Sequence, residues 1–373
     1  MKTRSRVLGI VLILLAGGIA ALAVALSHNS PCGTAASVPA GTQSMKAIVR
    51  RCYGTPEVLR LEEIARPTPK DDEVLIRVHA ASVNPLDWHY VRGTPYVVRL
   101  DAGLGSPTNP RLGVDLSGTV EAVGRNVKGF TPGEEVFGGR FGAFAEYIAA
   151  SQDRPLVLKP PNLSFEQAAA LPIAALTALQ ALRDQAHVHD GQKVLVIGAS
   201  GGVGTFAVQI ARILGAEVTG VSSTRNLELV HSLGAAHVID YTHEDVLRGK
   251  ERYDVIMDNV GDRSLAELLA FRRIMVPRGV FVLIGGGGPQ AGDWIGPLSS
   301  ALYVKLLSPF VSEKFVWMEA DLNKADLDTL ADMAKAGRLK SVIDRQYKLA
   351  ATAEALKYLE RGHARGKVII EVD

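Results

Sequence analysis

The chain has 373 residues, a length that accommodates two or three domains with buried cores. It contains 41 Lys and Arg residues against 39 Asp and Glu residues, and this near-neutral balance excludes a nucleic-acid-binding protein that works through bulk charge. Its two cysteines, Cys32 and Cys52, are too few for a four-cysteine zinc site or a disulfide scaffold.

The N-terminal segment is apolar. Residues 7–26 form a run of 20 residues without a charge, and a helix of that length spans about 30 Å, the thickness of a bilayer core. Three basic residues precede the run, which places the N-terminus in the cytoplasm by the positive-inside rule. We therefore predict a single-pass membrane anchor and a linker over residues 1–44. A cleaved signal peptide, or a cytoplasmic protein whose translation starts at Met45, are the alternatives.

Short strand patterns follow from Met45 to about residue 170. Runs rich in β-branched residues, such as 74–78 and 118–124, are bounded by acidic or glycine turn residues. Such runs without long helices between them are typical of a compact β domain. We therefore predict a β-barrel-like domain over residues 45–170.

Strands alternate with helices from residue 171 to about residue 311. The predicted apolar strands of this part lie at 194–197, 218–221, 238–239, 255–257 and 280–284. Alternation at this spacing predicts an α/β fold with a doubly wound parallel sheet. The chain then leaves the pattern, and its end, 366–372, forms one more strand.

The sequence GASGGVG at 198–204 lies between an apolar strand and a helix. A side chain at Gly201 or Gly202 would hold a pyrophosphate away from the backbone, while the helix N-terminus offers unpaired N–H groups to that anion. Gly204 permits close packing of the helix on the strand. The loop therefore predicts a dinucleotide site, with a tight turn that binds nothing as the alternative. Its predicted binding residues are Ser200, Gly201, Gly202, Val203 and Gly204.

The end of the next strand indicates which dinucleotide binds. NAD-binding proteins usually carry an acid there to hold the ribose hydroxyls, but residues 222–225 read Ser-Ser-Thr-Arg. Hydroxyls and a guanidinium suit a 2′-phosphate. We therefore predict NADPH rather than NADH, bound by Ser223 and Arg225, although Arg225 also suits an exposed helix start.

Several segments, in the right order, resemble the medium-chain dehydrogenase/reductase superfamily, in its zinc-independent quinone oxidoreductase branch near the reticulon-4-interacting-protein-like enzymes. Besides the glycine loop they are AASVNPLD (80–87), LGVDLSG (112–118), GAFAEY (142–147), AALTALQAL (174–182) and GHARGK (362–367). The resemblance covers residues 45–373. It implies a GroES-like β-barrel catalytic domain interrupted by a Rossmann domain over 171–311, with residues 312–373 returning to the first domain.

The resemblance also implies site residues in the cleft between the two domains. Zinc-dependent members have a cysteine in place of Asn84 and a His-Glu pair in place of Val114-Asp115, so no zinc is expected. Asn84 and Lys367 would line the cleft. The chemistry, rather than the resemblance, makes the Asn84 amide and Tyr90 candidate donors to the oxygen that becomes negative, with Tyr90 or a water molecule supplying the proton. The remaining implied cofactor residues are Thr177, Tyr241, Asn259 and Gly285. A turn cap at Asn84, a packing aromatic at Tyr241 and a solvated lysine at Lys367 are the alternatives.

These residues predict an NADPH-dependent oxidoreductase that transfers hydride to a quinone or an α,β-unsaturated carbonyl compound. A membrane-tethered NADPH-binding protein with little turnover, or an alcohol or aldehyde dehydrogenase, are the alternatives. The apolar segment 294–311 suits either a subunit or membrane contact or packing within the protein, so a homodimer stays open.

Overall fold

The structure is a computed structural model that describes residues 2–35, 37–285, 287–288, 292–294, 296 and 298–372, with side chains from residue 14 onward. Its α-helices are α1 (Lys2–Ser27), α2 (Pro85–Arg92), α3 (Arg99–Ala102), α4 (Phe165–Ala169), α5 (Pro172–Gln180), α6 (Gly202–Ile213), α7 (Leu227–Ser232), α8 (Leu265–Phe271), α9 (Leu298–Leu307), α10 (Lys324–Lys335) and α11 (Thr352–Glu360). A π-helical turn at Ala181–Gln185 extends α5. Single 3₁₀ turns lie at Pro56–Val58, Tyr96–Val98, Thr224–Asn226, Val246–Arg248, Arg272–Ile274, Ser308–Phe310 and Leu349–Ala351.

The strands belong to three sheets. In chain order they are β1 (Ser44–Val49), β2 (Arg60–Ala65), β3 (Glu73–Val83), β4 (Asp115–Val123), β5 (Glu135–Gly139), β6 (Tyr147–Ser151), β7 (Leu156–Leu158), β8 (Lys193–Ile197), β9 (Glu217–Ser222), β10 (His237–Asp240), β11 (Tyr253–Asp258), β12 (Met275–Ile284), β13 (Lys314–Met318), β14 (Ile343–Lys348) and β15 (Lys367–Glu371). β1 and β2 form an antiparallel pair of their own.

The first large sheet is the GroES-like part of the fold. Its strand order is β14-β15-β3-β4-β5-β7, and β6 pairs with the other end of β3. Residues 368–371 of β15 pair antiparallel with residues 80–83 of β3, so the end of the chain is built into the same sheet as its first half. Fully buried side chains such as Ile76, Leu116 and Phe144 form its core.

The second large sheet is the Rossmann part of the fold. All six strands are parallel, in the order β10-β9-β8-β11-β12-β13. Val194–Ile197 is a continuous buried run, as expected for a parallel strand covered on both faces, and Phe206 and Ile210 of α6 belong to the core against it. The strand order reverses between β8 and β11, and ligands bind in the crevice at such a reversal. The predicted domain boundary at residue 311 stays a prediction.

The N-terminal segment is attached to the barrel. Nη1 of the buried Arg99 donates to the carbonyl oxygens of Leu26 and His28, both at 2.8 Å. A disulfide joins Cys32 to Cys52, with 4.6 Å between their Cα atoms. This bond is not predicted from the sequence, because two cysteines 20 residues apart carry no pairing signal.

The prediction of a membrane anchor over residues 7–26 is wrong. Within the described residues, no helix combines the length and the apolar character needed to span a membrane. The predicted membrane localisation is wrong on the same ground.

The segment 294–311 contains α9, and its residues 295 and 297 lie outside the described residues. Leu302, Leu306 and Phe310 are exposed there, whereas Val304 and Leu307 are buried in the core of the six-stranded sheet. The segment therefore packs within the protein along one side, and the homodimer stays a prediction.

Candidate active site

The glycine loop connects β8 to α6, and Gly201 precedes the first turn of α6. A Cβ at Gly204 would lie 2.1 Å from the carbonyl oxygen of Gly198 and 2.8 Å from Cα of Ala199, so only glycine fits there. A Cβ at Gly201 would meet nothing closer than 3.4 Å, and its φ of −80° suits any residue. Internal packing therefore requires glycine at 204 but not at 201.

Two asparagines beside the loop fit a dinucleotide in the crevice. Asn226 Nδ2 donates to Ser200 Oγ at 3.0 Å and to Ser223 Oγ at 3.3 Å, and Asn259 Nδ2 donates to the Ile197 carbonyl oxygen at 3.0 Å. The Oδ1 atoms of both asparagines are buried without a partner among the described residues. Because buried polar atoms normally have hydrogen-bond partners, these oxygens suit a ligand that carries hydroxyl and amide donors. Sequence reasoning missed Asn226, for which no motif gave a signal.

The residues predicted to hold a 2′-phosphate follow β9. Ser223 lies beside Asn226, and Arg225 Nη2 donates to the His363 carbonyl oxygen at 2.9 Å. Tyr241 is 58% exposed, so it is not a core aromatic. Asp240 is the acid of this region; burial acts to raise its pKa, but hydrogen bonds from neighbouring threonines hold the pKa well below its usual range.

The other predicted cofactor residues lie near the strand ends. The Thr177 hydroxyl donates to the Ile173 carbonyl oxygen at 2.7 Å within α5, and Thr177 is buried. Val203 lies in the first turn of α6. Gly285 follows β12 with a φ of +77°, and a Cβ there would contact nothing within 4 Å. The cofactor-binding roles of Thr177, Val203 and Gly285 stay predictions, because their described contacts do not test them.

Asn84, Asp115 and Lys367 form a buried polar cluster in the barrel, each at most 3% exposed. Lys367 Nζ donates to Asn84 Oδ1 at 2.6 Å and lies 3.5 Å from Asp115 Oδ2. Asn84 Nδ2 donates to the same carboxylate oxygen at 2.9 Å, and Ser82 Oγ does so at 2.7 Å. Burial lowers the pKa of Lys367, while the nearby carboxylates oppose that shift. The Asn84 amide therefore bridges an ammonium group and a carboxylate, and Asn84 is also the N-cap residue of α2.

The cluster lies against the glycine loop. The Gly366 N–H donates to the Ser200 carbonyl oxygen at 2.9 Å, and Gly201 pairs with Gly366 as an isolated parallel bridge. Cδ of Lys367 lies 3.3 Å from the position of a Cβ on Gly202. The aliphatic part of Lys367 therefore lies beside the N-terminus of α6, while its ammonium group points to Asn84 and Asp115.

Tyr90 stands apart from this cluster, at the C-terminal side of α2. Its hydroxyl donates to Asp101 Oδ2 at 3.2 Å, and its ring centre is 5.0 Å from that of Phe141. Burial, with a contribution from Asp101, raises the pKa of Tyr90 to about 12. The phenol therefore keeps its proton at neutral pH, and its role as proton donor stays a prediction.

Sequence reasoning missed Asp87, the second buried carboxylate of the site. Its Oδ2 accepts the Asn84 N–H at 2.8 Å, and the side chain is 1% exposed. Burial raises the pKa of Asp87 to about 7, and repulsion by Asp115 adds to the rise. The three-residue spacing from Asn84, typical of a capping box, was the available signal.

An Asp87→Asn variant is expected to lose less stability with rising pH than the wild type. Because the pKa of Asp87 is raised from 3.8 to about 7 on folding, the native state binds more protons than the unfolded state in this window. The wild type therefore becomes less stable as pH rises through the window. Asparagine keeps an acceptor oxygen for the Asn84 N–H without the titration. Urea unfolding at about pH 5 and about pH 8 should show a pH-dependent loss smaller by more than about 1 kcal/mol in the variant. Equal losses in both proteins would contradict the raised pKa.

Within the part of the chain that the structure describes, no group of three or more His, Cys, Asp or Glu side chains could hold a metal ion. Asn84 and Asp115, which stand at positions compared with zinc ligands, are instead joined to Lys367. Zinc independence itself stays a prediction.

Known proteins are similar to this chain along most of its length. Residues 70–161 match the alcohol dehydrogenase GroES-like domain, and residues 233–370 match a family described as zinc-binding dehydrogenase. The mouse (Mus musculus) protein NAD(P)H oxidoreductase RTN4IP1, mitochondrial, is 35% identical, covering 88% of this chain and 89% of its own. The NADPH-dependent alkenal/one oxidoreductase, chloroplastic, of Arabidopsis thaliana is 34% identical, covering 90% of this chain and 81% of its own. The solved structure of a quinone oxidoreductase from Coxiella burnetii has a TM-score of 0.77 and 31% identity, covering 89% of this chain and 100% of its own.

Proposed function

Because this chain belongs to the medium-chain dehydrogenase/reductase superfamily, we propose that it is an NAD(P)H-dependent oxidoreductase that reduces a quinone or an α,β-unsaturated carbonyl compound. The names of two relatives, an alkenal/one oxidoreductase and a quinone oxidoreductase, support this chemistry. The observation that carries the proposal is the pairing of Gly366 with the dinucleotide-type glycine loop, which brings the neighbouring buried Lys367 close to that loop.

NADPH is the proposed cofactor. The N-terminus of α6 would hold its pyrophosphate, while Ser223 and Arg225 would hold the 2′-phosphate. The Asn226 amide donates to the hydroxyl oxygens of Ser200 and Ser223, which leaves both hydroxyl protons free for an anion. When bound, the reduced cofactor supplies a hydride, which together with one proton reduces the acceptor.

Lys367 is the proposed stabiliser of the negative charge that develops on the acceptor oxygen. The Asn84 amide is committed to Asp115, and the Tyr90 hydroxyl is committed to Asp101. The Lys367 ammonium has three N–H groups, of which one binds Asn84 Oδ1 and another faces Asp115 at the longer distance of 3.5 Å. A preorganised cation in a water-poor site stabilises a developing oxyanion more strongly than the same cation in water. Asn84 and Asp115 then act by holding this cation in place.

We propose that this chemistry proceeds without zinc. The polar groups at the positions compared with zinc ligands already satisfy one another, since Asn84 bridges Lys367 and Asp115. Val114, the third such position, is a buried aliphatic residue that offers no ligand atom. These positions offer no set of ligand atoms for a Lewis acid, so the charge of Lys367 would stabilise the acceptor oxygen instead of a metal ion.

A Gly201→Ala variant is expected to bind NADPH at least tenfold more weakly while changing the melting temperature of the free protein by less than about 3 °C. The added methyl group meets no protein atom within 3.4 Å, yet it would separate a pyrophosphate from the backbone N–H groups. Titration calorimetry with NADPH measures the first effect, and thermal unfolding without NADPH measures the second. Gly129→Ala is the matched control, because a Cβ there contacts nothing within 4 Å and lies far from the loop in sequence. Unchanged affinity in Gly201→Ala would contradict the assignment of the phosphate site.

The reaction itself is tested with the full-length wild-type protein. NADPH oxidation is followed with a panel of quinones and enones, in buffer with and without a metal chelator. We expect oxidation that depends on the acceptor and is insensitive to the chelator. Tight NADPH binding without oxidation by any acceptor would instead favour a binding protein, and metal-dependent oxidation of alcohols would favour an alcohol dehydrogenase.

A further inference from the structure

Two neighbouring arginines of the barrel, Arg111 and Arg140, have no anionic partner in the part of the chain that the structure describes. Among the described residues, neither guanidinium forms a hydrogen bond or an ion pair, and Arg140 Nε is buried without a partner. Burial lowers the pKa of Arg111, and repulsion by Arg140 lowers it further. By contrast, Arg92 of the same domain is paired with Glu360 at 2.7 Å, and the buried Arg99 donates to backbone carbonyl oxygens. Two adjacent desolvated cations without a counter-charge are unfavourable unless a ligand supplies it.

The pair lies at the end of the barrel that carries the proposed active site. The Arg140 N–H donates to the Val114 carbonyl oxygen at 2.8 Å, directly before Asp115. The Arg111 guanidinium lies over the same loop, with its Cζ and Nε 3.2 Å from the position of a Cβ on Gly142. Both arginines belong to the barrel, whereas the residues proposed to hold the phosphates of the cofactor belong to the six-stranded sheet. The pair therefore lies outside the part of the fold that is proposed to hold the cofactor phosphates.

The surroundings of Tyr90 connect the pair to the acceptor site. The ring of Phe141, between Arg140 and Gly142 in the chain, is 5.0 Å from the Tyr90 ring. The guanidinium of Arg50 lies 5.7 Å from the Tyr90 ring centre, and its Nε is also buried without a partner. These aromatic faces suit the planar conjugated part of an acceptor.

The carboxylates near this end do not neutralise the pair. Asp101 accepts the Tyr90 hydroxyl, and Glu319 acts on Tyr90 through space. Both side chains are exposed, and neither forms an ion pair with Arg111 or Arg140 in the described structure. Asp87 and Asp115 both act on the Lys367 ammonium group.

We propose that Arg111 and Arg140 bind an anionic group of the substrate, so that the preferred acceptors are conjugated carbonyl compounds that carry a carboxylate. This inference rests on the proposed quinone or enone reductase function. Guanidinium groups bind carboxylates through paired charge-assisted hydrogen bonds, which fix orientation as well as supply affinity. The carboxylate would be anchored at the arginine pair while the conjugated part reaches toward Lys367.

The test compares an enone carboxylic acid, with an alkyl spacer between its two functional groups, with its methyl ester. We expect the wild type to show a kcat/KM for the acid at least tenfold above that for the ester. In Arg111→Gln and Arg140→Gln, this acid-to-ester ratio should fall about 10- to 100-fold. Arg125→Gln is the matched control, because Arg125 belongs to the same domain and its side chain is 78% exposed; its ratio should equal that of the wild type. Two separate variants guard against one that fails to fold.

A binding measurement separates failure of this inference from failure of the proposed function. The saturated acid is added with NADP⁺, and the melting temperature is followed in the wild type and in both variants. Stabilisation of the wild type alone supports the arginine site even if no acceptor is reduced, in which case the proposed function fails by itself. The arginine site is overturned if the wild type reduces the acid and the ester with an acid-to-ester ratio of kcat/KM near one, or if both variants leave that ratio unchanged. In either case the proposed reductase function stands.

Discussion

A Lys367→Met variant is expected to unfold with a free energy about 3 kcal/mol below that of the wild type and to lose about a hundredfold in kcat. Lys367 is 3% exposed, and its ammonium group faces the fully buried carboxylate of Asp115. Methionine fills a similar volume but removes the charge, which leaves Asp115 in the interior without a cation. Urea unfolding and NADPH oxidation with the best acceptor measure the two effects.

Two further variants make this prediction specific. Lys348→Met removes an exposed lysine from the neighbouring strand β14, where it pairs with Glu371, and it should cost less than about 1 kcal/mol. Adding Asp115→Asn to Lys367→Met removes the uncompensated charge, so the double variant should be more stable than Lys367→Met alone. A double variant that is less stable by the full sum of the two single effects would show that the two groups do not interact.

A Gly204→Ala variant is expected to lose at least about 3 kcal/mol of stability and to fail to bind NADPH. The new methyl group would lie 2.1 Å from the Gly198 carbonyl oxygen and 2.8 Å from Cα of Ala199, and both are backbone atoms of a loop fixed between β8 and α6. Relief requires that the helix move away from the strand, which breaks the core contacts of Phe206. Thermal unfolding and NADPH titration measure the loss.

The comparison with Gly202→Ala shows whether the cause is steric. A Cβ at Gly202 would meet chiefly Cδ of the Lys367 side chain, at 3.3 Å, and relief requires a shift of only a few tenths of an ångström. This variant should therefore fold with a melting temperature close to that of the wild type. Similar destabilisation by both substitutions would point to a general intolerance of the loop and would contradict the argument from the Gly198 carbonyl oxygen.

The parts of the fold that sequence predicted best are those with a local cause. The glycine loop could be assigned because strand, turn and helix are consecutive in the chain, and the buried run Val194–Ile197 marks the central strand. The order of the six parallel strands was not predicted, because pairing such as that of β8 with β11 joins segments about 60 residues apart. The disulfide between Cys32 and Cys52 was likewise missed.

The candidate site was harder to predict because its contacts are distant in sequence. Lys367 meets Asn84 across 283 residues and Asp115 across 252 residues. The family resemblance named Lys367 and Asn84, but it did not indicate that the Asn84 amide would join the Lys367 ammonium group to the Asp115 carboxylate. The arginine pair could not be predicted from the sequence, since Arg111 and Arg140 belong to no motif.

The membrane anchor shows where composition alone misleads. A run of uncharged residues was taken as a spanning helix on its length and its basic flank. The structure instead connects the end of that helix to Arg99 and, through Cys32, to the barrel. Hydropathy does not report such contacts, because they involve backbone carbonyl oxygens and a covalent bond.

The backbone pairing of Gly201 with Gly366 constrains how the two large sheets could move relative to each other. A rotation of one large sheet against the other must either break this pairing or use it as a hinge. A hinge at this position would leave the glycine loop, the proposed phosphate site, nearly stationary. The parts of the two sheets that lie farthest from Gly201 and Gly366 would then separate most. Acceptors would be exchanged through that opening during successive turnovers while the nucleotide stays bound at the glycine loop.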